Sequence, residues 1–600
     1  MQGSVKALSR DAQLLAIMGT PWMYGGTPDA VRYGVAALVL FSVGAWLWEE
    51  RALASRLAWP AVAFVGWSLL QAVAISPAPG LTLESASVLA AGLGMVVFWS
   101  HEARDEAVAR RVAYAVLLVC ATQAAFGVVQ AAAKPRSLYG ITAGDIASPY
   151  GSFENHNHFA GLVEMGTLLA LAMALGRARR AREIDPLTIG LAGLSLALIG
   201  AHLASRSRGG LLALAAGAAM LVPLWWLASS RRAPSARTAA MAGSTLVALF
   251  VFGWMAVPSA TRAHLTTAFR GPADASGYYR IAIGAATSRL WWSHPLTGSG
   301  LGTFEDEVTR FKRSDGLVRS AHGESDALEF LAEGGLVGLV LGSVVGMSVL
   351  AGFLERVREG RDPWRKGLAI GALAAVLALL AHSCVDFNLR IPANAFVFCA
   401  LVGLAAAPRT EPSARLSPGM CRILAAGIVA LGAWAGWRAL GAREHEWARR
   451  TEGPDARLAR LTDAVARHPY LANAWRDRAN VRAELARGSA ELTRYRLERA
   501  AADIQSALAR RPHWSYAWAD LGWLRYRQGD MAGAERAFTV AAELDPAAVP
   551  VGLARVEFLA RTARYDEARQ ELRRLRGYNL DWSEEAVRST ARQMGLGDLK

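Results

Sequence analysis

The sequence has few cysteines and few charges for its length. Only four of its 600 residues are cysteine, and 19% are charged. All four cysteines lie in or beside apolar segments, and none has the CxxC spacing of a metal or redox site. They are most simply small buried hydrophobic residues, at positions Cys120, Cys384, Cys399 and Cys421.

The sequence also lacks the signatures of nucleotide and metal binding. The glycine-rich stretch HPLTGSGLGTF (294–304) has no GK[ST] ending, which excludes a nucleotide-binding phosphate loop. His156 and His158 would point apart on a helix, and no third ligand lies near them in sequence. We therefore predict neither a cofactor nor a metal.

Basic residues outnumber acidic ones, which gives a net charge of +15. These basic residues sit in short clusters between apolar runs, and clusters placed in this way are typical of residues that orient membrane helices. A nucleic-acid-binding protein gathers its basic residues on one face instead. Membrane lipids are therefore expected partners, and nucleic acid is not.

Long apolar runs dominate the sequence, and 53% of its residues are hydrophobic. A helix needs about 20 apolar residues to cross roughly 30 Å of hydrocarbon. By that criterion we predict an all-α, polytopic transmembrane helix bundle of about thirteen helices. The predicted spans are 11–25, 31–48, 58–76, 85–100, 112–132, 157–176, 186–204, 208–228, 238–257, 331–353, 367–385, 391–407 and 421–440.

The loops between the predicted spans alternate in charge. One set carries RARRAR (177–182), RRAPSAR (231–237) and ERVREGRDPWRK (355–366), and the positive-inside rule makes that set cytoplasmic. The N-terminus is then cytoplasmic, and everything after about residue 441 is extracytoplasmic. The loop 258–330 is basic as well, but loops of that length cross the membrane largely regardless of charge. The remaining extracytoplasmic loops are 133–156, 205–207 and 386–390.

The end of the chain differs in character, because it is polar, rich in arginine and helical in period. The stretch 514–546 fits the helix–turn–helix pattern of a tetratricopeptide repeat, and a looser copy runs from Trp475 to Pro512. We therefore predict a transmembrane domain over 1–440 and a repeat domain over 441–600, which provides a binding surface rather than a catalytic one. The matching residues are Trp518, Leu521, Gly522, Ala534, Phe538, Ala541 and Pro546.

The stretch ENHNH (154–158) enters the sixth predicted span from the extracytoplasmic side. A polar cap on that helix is one interpretation, and Asn157 could provide it. Alternatively, the stretch lines a substrate site. The candidate lining residues are Asn155, His156, Asn157 and His158.

Arginines mark two further stretches on the same side. SRSRGG (205–210) places Arg206 and Arg208 on a glycine-rich turn at a helix N-terminus. There they either extend to the membrane interface or bind a phosphate through paired hydrogen bonds. In the long loop, residues 279–292 have helical spacing and bring Arg280, Gly284 and Thr287 near one face.

A histidine and four carboxylates stand directly before an apolar run in RSAHGESDALEFLAEGGL (319–336). If this stretch is helical, His322, Asp326, Glu329 and Glu333 form one stripe. The stripe is either a solvated face or a set of acids that orient His322 and raise its basicity for proton removal.

Taken together, these stretches resemble the O-antigen ligase/polymerase superfamily. Five of them follow one another in the order seen there: GSFENHNHFAG (151–161), SRGG (207–210), YYRIAIGAA with HPLTGSGLGTF (278–304), AHGESDALEFLAEGGLVGL (321–339) and HSCVDFNLRIPANA (382–395). The resemblance covers roughly 140–408 by motifs and the rest by topology and the repeat tail. It implies a GT-C-like membrane fold.

The resemblance implies transfer of a glycan from an undecaprenyl-diphosphate carrier to a lipid or glycan acceptor at the periplasmic face of a bacterial inner membrane. Family arginines that hold the diphosphate map onto Arg208 and Arg280, with Arg206 beside them. The family's loop histidine, proposed to activate the acceptor hydroxyl, maps onto His322. It lies farther from the AEGG glutamate than in many relatives, so Glu324 is a second candidate, and Asp326 completes the predicted catalytic set.

Other functions stay open at this stage. A polymerase that joins repeat units would share the chemistry of a ligase. A transporter or lipid flippase with a scaffold tail should show ionisable or broken-helix features near the bilayer midplane. Here the ionisable residues gather at helix ends on one face, which favours a transferase. The repeat domain is expected to recruit an acceptor or a protein partner and so raise its effective concentration.

Overall fold

The computed structural model describes residues 2–50, 53–133, 137–139, 141–142, 150–180, 185–228, 275–314, 316–359, 362–407, 415–579 and 583–596. Over these residues the chain is almost entirely helical. Its strands form two short antiparallel pairs, β1 (Leu53–Ala54) with β4 (Arg415–Leu416) and β2 (Ser137–Leu138) with β3 (Ile141–Thr142). The predicted all-α class is confirmed.

Among the described residues, fourteen α-helices belong to the membrane part and the long loop within it. They are α1 (Gln2–Gly19), α2 (Asp29–Glu49), α3 (Ser55–Ala74), α4 (Pro79–Glu102), α5 (Glu106–Ala133), α6 (His156–Arg180), α7 (Pro186–Ala204), α8 (Arg208–Ala228), α9 (Ala275–Ser293), α10 (Phe304–Glu307), α11 (Asp326–Glu359), α12 (Pro363–His382), α13 (Pro392–Ala406) and α14 (Pro418–Arg449).

Ten of these helices are long and apolar enough to cross a membrane, which makes the chain a multi-pass membrane protein. They are α2 to α8, α11, α12 and α14. Three of the thirteen predicted spans are not among them. The span 391–407 corresponds to α13, which has only 15 residues. The span 11–25 overlaps α1, which is not apolar enough to count as a membrane-spanning helix. The span 238–257 lies outside the described residues.

The helix ends meet on two opposite faces of the bundle. On the first, Arg56 at the start of α3 bonds to Glu355 near the end of α11 (2.5 Å), and Arg180 lies 3.4 Å from Asp362. We call this the basic face, because the described parts of the basic loop clusters, 177–180, 355–359 and 362–366, lie there. We call the other the site face, because the candidate residues lie at its helix ends.

Although it is not among the ten apolar spans, α1 reaches from one face to the other. Lys6 bonds to Glu50 at the basic face (2.9 Å). Just after the other end of α1, Trp22 packs on Phe126 near the end of α5, with ring centroids 5.6 Å apart. Helix α1 therefore runs between the two faces of the bundle, but it covers Gln2–Gly19 and not the predicted span 11–25.

Close packing of α6 against α12 sets the geometry of the site face. Most of α6 is buried, and a Cβ atom at Gly176 or Gly367 would collide with the backbone of the other helix. Small residues of this kind let membrane helices approach closely. The contact brings the start of α6 beside the end of α12, where Asn157 and Asp386 meet.

Helix α11 is interrupted at Gly335, whose φ of 66° lies in the left-handed region that glycine tolerates. The glycine-rich stretch 294–300 fills the interruption and replaces the lost helical hydrogen bonds. These replacements are Ser299 N to Ala332 O, Gly300 N to Glu333 O and Leu336 N to Pro295 O, all at 3.0 Å. The glycine-rich stretch 294–300 thus has a structural role, because it forms hydrogen bonds with the backbone groups that the break would leave without partners.

Eight further helices follow α14. They are α15 (Pro454–Arg467), α16 (Ala472–Glu484), α17 (Ala490–Leu508), α18 (Ser515–Arg527), α19 (Met531–Leu544), α20 (Val549–Arg561), α21 (Tyr565–Tyr578) and α22 (Glu584–Gln593). Helices α16 to α21 pack as successive pairs. In the pair α18–α19, Gly522 lies directly against the ring of Phe538 and Ala534 is buried, as the repeat pattern predicts. The tetratricopeptide assignment stays a prediction, and the predicted boundary at 440/441 falls inside α14.

We expect Gly298→Ala to destabilise the membrane domain. A Cβ atom there would press on the carbonyl oxygen of Glu333 at a φ of 68°, which alanine adopts only with strain. The cost should be roughly 1–3 kcal/mol, seen as a lower thermal midpoint of the detergent-solubilised chain. Gly346→Ala is the matched control, because nothing lies within 4 Å of a Cβ atom there. Equal midpoints for the two variants would contradict the prediction.

Candidate functional site

The segment 385–390, between α12 and α13, is the centre of the polar cluster on the site face. Asp386 is buried, with 2% of its surface exposed. It accepts a hydrogen bond from Asn157 Nδ2 (2.7 Å), and its other oxygen lies 3.4 Å from His158 Nε2. Burial would raise the pKa of Asp386, but the adjacent His158 and the positive charges nearby hold that pKa well below its usual range. Asp386 therefore carries a fixed negative charge.

Arg280, on α9, faces two carboxylates. Its Nε donates to Glu324 Oε2 (3.3 Å), and its Nη2 lies 3.7 Å from Asp386 Oδ2. Burial and the charge of Asp386 raise the pKa of Glu324, and Arg280 only partly offsets this. Both contacts are long for charge-assisted hydrogen bonds. They hold the guanidinium in place while leaving it able to exchange a carboxylate for another anion.

His322 lies in the loop before α11, where three groups hold it. Its Nδ1 is 3.1 Å from Glu329 Oε1, and its ring stacks on Phe387 with centroids 4.6 Å apart. The backbone N–H of Gly323 donates to the second oxygen of Glu329 (2.7 Å). Because the contact with Glu329 uses Nδ1, Nε2 is the ring nitrogen left to act on a substrate.

The acids of α11 form a buried row rather than the predicted stripe with His322. The helix begins at Asp326, since Ser325 caps it by accepting a hydrogen bond from Leu328 N (3.4 Å). His322 therefore lies off the helix. The interpretation as a solvated face is wrong, because the exposed fractions are 6%, 1% and 0% for Asp326, Glu329 and Glu333.

Arg390 compensates the charge of this row. Its Nε is 3.1 Å from Glu329 Oε1, and its Nη2 donates to Glu333 Oε2 (2.6 Å). Burial would lower the pKa of Arg390, but the neighbouring carboxylates raise it further above its ordinary value. Asp326 accepts instead from the backbone N–H of Leu389 (2.7 Å). The segment 385–390 and the start of α11 are thus held together by charge and by hydrogen bonds.

The helix cap predicted at Asn157 is provided by Asn155. The side chain of Asn155 accepts from the backbone N–H of Asn157 (2.8 Å), whereas the side chain of Asn157 donates to Asp386. His156 begins α6, and His158 packs edge-on against Phe387 at 4.7 Å. Asn157 and His158 therefore belong to the polar cluster, and Asn155 shapes the turn that leads into it.

The hairpin between α7 and α8 lies beside the same segment. Helix α8 begins at Arg208, and a Cβ atom on Gly209 would stand 3.1 Å from Val385 and 3.4 Å from His382. Ser207 caps α8 by accepting a hydrogen bond from Gly210 N (3.1 Å). Arg206 is exposed, with a φ of 61°. The structure thus brings the start of α8 to the edge of the cluster.

Two central residues, Asp386 and Arg390, were absent from the predicted site. The stretch HSCVDFNLRIPANA that contains them was noted for its order in the chain and for its predicted location on the extracytoplasmic side. Its charged residues stand between two apolar runs, which was a usable signal. The residues they pair with lie far away in sequence, so the pairing itself was not visible.

A metal-like grouping occurs elsewhere in the described part of the chain. Ligand atoms of Glu50, His101 and Glu102 lie within 4.8 Å of one another. This group is on the basic face, and its carboxylates already bond to Lys6 and Arg10. It therefore carries no argument about the site face.

Comparison with known proteins bears on the middle of the chain. The O-antigen ligase family model matches residues 193–342. This part of the chain is similar to the O-antigen ligase family. The match spans α7 to α11 and includes Arg208, Arg280 and His322, and it confirms the resemblance to the O-antigen ligase superfamily. No curated protein matches the chain.

The matched domain is a quarter of the chain, and the site reaches beyond it. The start of α6 and the segment 385–390 complete the cluster from outside the matched range. The O-antigen ligase domain supports glycosyltransferase activity of the ligase or polymerase type. Chemically, the cluster contains the imidazole of His322, which is held by the carboxylate of Glu329, and the guanidinium of Arg280.

We expect Arg390→Met to destabilise the protein strongly. It would leave Glu329 and Glu333 buried without a counter-charge, and removing one partner of a buried ion pair costs roughly 3–5 kcal/mol. Adding Glu329→Gln and Glu333→Gln to Arg390→Met should restore most of the thermal midpoint, because the uncompensated charges are then gone. A triple variant no more stable than Arg390→Met would show that the charge is not the cause.

Proposed function

We propose that this protein transfers a glycan from undecaprenyl diphosphate to an acceptor hydroxyl at the extracytoplasmic face of a bacterial inner membrane. The observation that carries the proposal is the placement of His322 and Arg280 in one cluster. His322 is held by a buried carboxylate, and Arg280 faces the neighbouring loop residue Glu324. A base for the acceptor and a cation for the leaving group are the two groups that such a transfer needs.

His322 is the proposed base. Glu329 accepts from Nδ1–H and so fixes the neutral tautomer with its lone pair on Nε2. Nε2 takes the proton of the acceptor hydroxyl as the oxygen attacks the anomeric carbon. Glu329 then stabilises the imidazolium that results, and Arg390 keeps Glu329 ionised throughout.

Arg280 and Arg208 are the proposed diphosphate ligands. As the new bond between the acceptor oxygen and the anomeric carbon forms, the bond from that carbon to the diphosphate oxygen breaks, and both of its electrons leave with the diphosphate. Guanidinium groups suit that developing charge, because they bind phosphate oxygens in pairs. Arg208 begins α8, where the helix N-terminus adds a further positive end. The donor sugar is already activated, so the reaction uses no nucleotide.

The acids beside the base have different proposed roles. Glu324 accepts a hydrogen bond from Arg280. When the donor binds, Arg280 would exchange Glu324 for the diphosphate, or Glu324 would orient Arg280 towards the diphosphate. Asp326 accepts from the backbone of Leu389 and so positions the segment that carries Asp386. Asn157 and His158 contact Asp386, and these contacts support a role for both residues at the wall of the substrate site.

A broken helix and a buried ionisable pair, two features expected of a transporter, are present, but both lie towards the site face. The part of α11 after the break, residues 336–359, is about 36 Å long at 1.5 Å per residue and spans the hydrocarbon by itself. The break at Gly335 therefore falls outside the core of the bilayer. The buried pair of Glu164 and His382, at 3.2 Å, involves the last residue of α12. Their placement supports a surface-active transferase rather than a transporter.

We expect His322→Ala and Arg280→Ala to abolish glycan transfer while leaving the protein in the membrane. Each removes a group that acts mainly in the transition state, so the loss should be roughly a hundredfold or more in turnover. Arg280→Lys should recover little, because lysine supplies a point charge instead of a fork. The measurement is transfer from purified lipid-linked glycan to acceptor by detergent-solubilised protein.

Glu324→Ala separates the two candidate bases. Near-normal turnover of His322→Ala with loss in Glu324→Ala would assign the base to Glu324 instead. Arg289→Ala is the matched control for the arginines, because Arg289 is exposed on the same helix and bonds only to the carbonyl of Phe311 among the contacts described (2.9 Å). Full activity of both His322→Ala and Glu324→Ala would reject the proposed chemistry.

The orientation is a further proposal, and it rests on the basic loops. Because the described parts of these clusters, 177–180, 355–359 and 362–366, share the basic face, that face should be cytoplasmic and the site face extracytoplasmic. Alkaline phosphatase fused to the C-terminus should then be active, and a fluorescent protein that matures only in the cytoplasm should stay dark. The reverse result would place the site on the cytoplasmic face and reject the proposed function.

A further inference from the structure

The loop that leads to His322 lies along one edge of the C-terminal helices. This edge is built from the turns that join successive helix pairs, and we call it the turn edge. It comprises the turns around 509–516 and 544–549 and the helix end at 578–579. Residues 305–314 and 316–319 of the loop contact each of these places or the helix ends beside them. The contact is therefore continuous along three helix pairs.

One buried ion pair anchors the middle of this contact. Arg511 donates through Nε and Nη2 to the two oxygens of Asp306, both at 2.7 Å, which is the paired geometry that arginine and carboxylate favour. Both side chains are almost fully buried. Arg511 also bonds to Glu305 (3.2 Å), and His513 bonds to Glu307. All three acids of α10 are thus held by the turn edge.

Backbone contacts extend the interface towards the last pair of helices. Thr309 Oγ1 donates to the carbonyl of Leu544 (2.8 Å), and the N–H of Gly316 donates to Asn579 Oδ1 (2.6 Å). The N–H of Val549 donates in turn to the carbonyl of Gly316 (3.0 Å). A Cβ atom at Gly316 would collide with the backbone of Ala547, so the loop approaches as closely as glycine permits.

Helix α10 joins this interface to the site. The N–H of Phe304, its first residue, donates to Glu333 Oε1 (3.0 Å), and the ring of Phe304 lies against Gly323. The next three residues are the acids that the turn edge binds. At the other end of the loop, Arg319 bonds to Asp306 (3.1 Å) three residues before His322. One four-residue helix thus touches the site at one end and the turn edge along the rest.

We propose that the turn edge is a binding site for this chain's own loop, through the acids of α10, and that it positions His322 through that helix. Arg511 and Asp306 are positioning residues in this arrangement, since neither touches the reacting groups. The broad faces of the helix pairs are separate from this edge and stay available for other contacts. The effect on catalysis rests on the proposed function, whereas the effect on loop order does not.

The test uses the full-length protein with Arg511→Ala, Asp306→Ala and the double variant. Hydrogen exchange of the backbone amides over 304–323 should speed up by at least roughly tenfold in each, because a buried ion-pair partner is lost. Turnover at saturating donor and acceptor should fall by roughly ten- to a hundredfold, with the KM for donor little changed, since the loop rather than the donor is displaced. The double variant should resemble the single ones, as expected for residues that act as one pair.

Arg478→Ala is the matched control. Arg478 forms a paired, buried contact with Asp503 (2.9 and 2.7 Å) within the C-terminal helices and away from the loop. The Arg478→Ala variant should leave the hydrogen exchange of the backbone amides over 304–323 unchanged. Unaltered loop exchange in Arg511→Ala, or equal effects of Arg478→Ala and Arg511→Ala, would overturn the proposal. If the unmodified protein transfers no glycan, the proposed function fails, and the exchange measurement still decides whether the turn edge holds the loop.

Discussion

Charge compensation by Arg390 is the interaction on which the site depends. Two carboxylates, Glu329 and Glu333, are buried at the start of α11, and burial of an uncompensated carboxylate costs several kcal/mol. Arg390 pairs with both. Each carboxylate has a second oxygen that is not bonded to Arg390. The second oxygen of Glu329 accepts from the N–H of Gly323, and that of Glu333 accepts from the N–H of Phe304. A single cation thereby fixes the His322 loop, α10 and the end of α12 relative to one another.

The two faces of the bundle are stabilised in different ways. On the basic face, pairs such as Arg56 with Glu355 are partly exposed and join neighbouring helix ends. Exposed pairs of that kind contribute little to stability, and their value lies in orienting the helices. On the site face, the charges are buried and share partners. That difference is expected if one face only has to lie at the membrane surface while the other has to hold a set of groups in fixed positions.

Most of the helices, and the grouping of the candidate residues, follow from local features of the sequence. Apolar length predicted ten of the spans, and the contact between an acid and His322 was foreseen. The details depended on single residues. Ser325 starts α11 after His322, and Asn155 rather than Asn157 caps α6. The pairing of Asp386 and Arg390 could not be predicted, because the packing of α6 on α12 brings Asn157 to Asp386 and the glutamates paired with Arg390 lie far away in sequence, on α11. Similarly, the structural role of the glycine-rich stretch 294–300 could not be predicted, because it depends on the helix break at Gly335, which lies elsewhere in the sequence.

The attachment of the loop that leads to His322 to the turn edge has a consequence for biosynthesis. The loop ends at residue 319, but its last anchor, Asn579, is made about 260 residues later, which is roughly 15 to 50 s of synthesis. During that interval the membrane helices have been made while the loop still lacks its outermost support. On the proposed positioning, the site reaches its final form only after residue 579 has been made, and a chain terminated before that residue would keep the residues of the site without their final alignment.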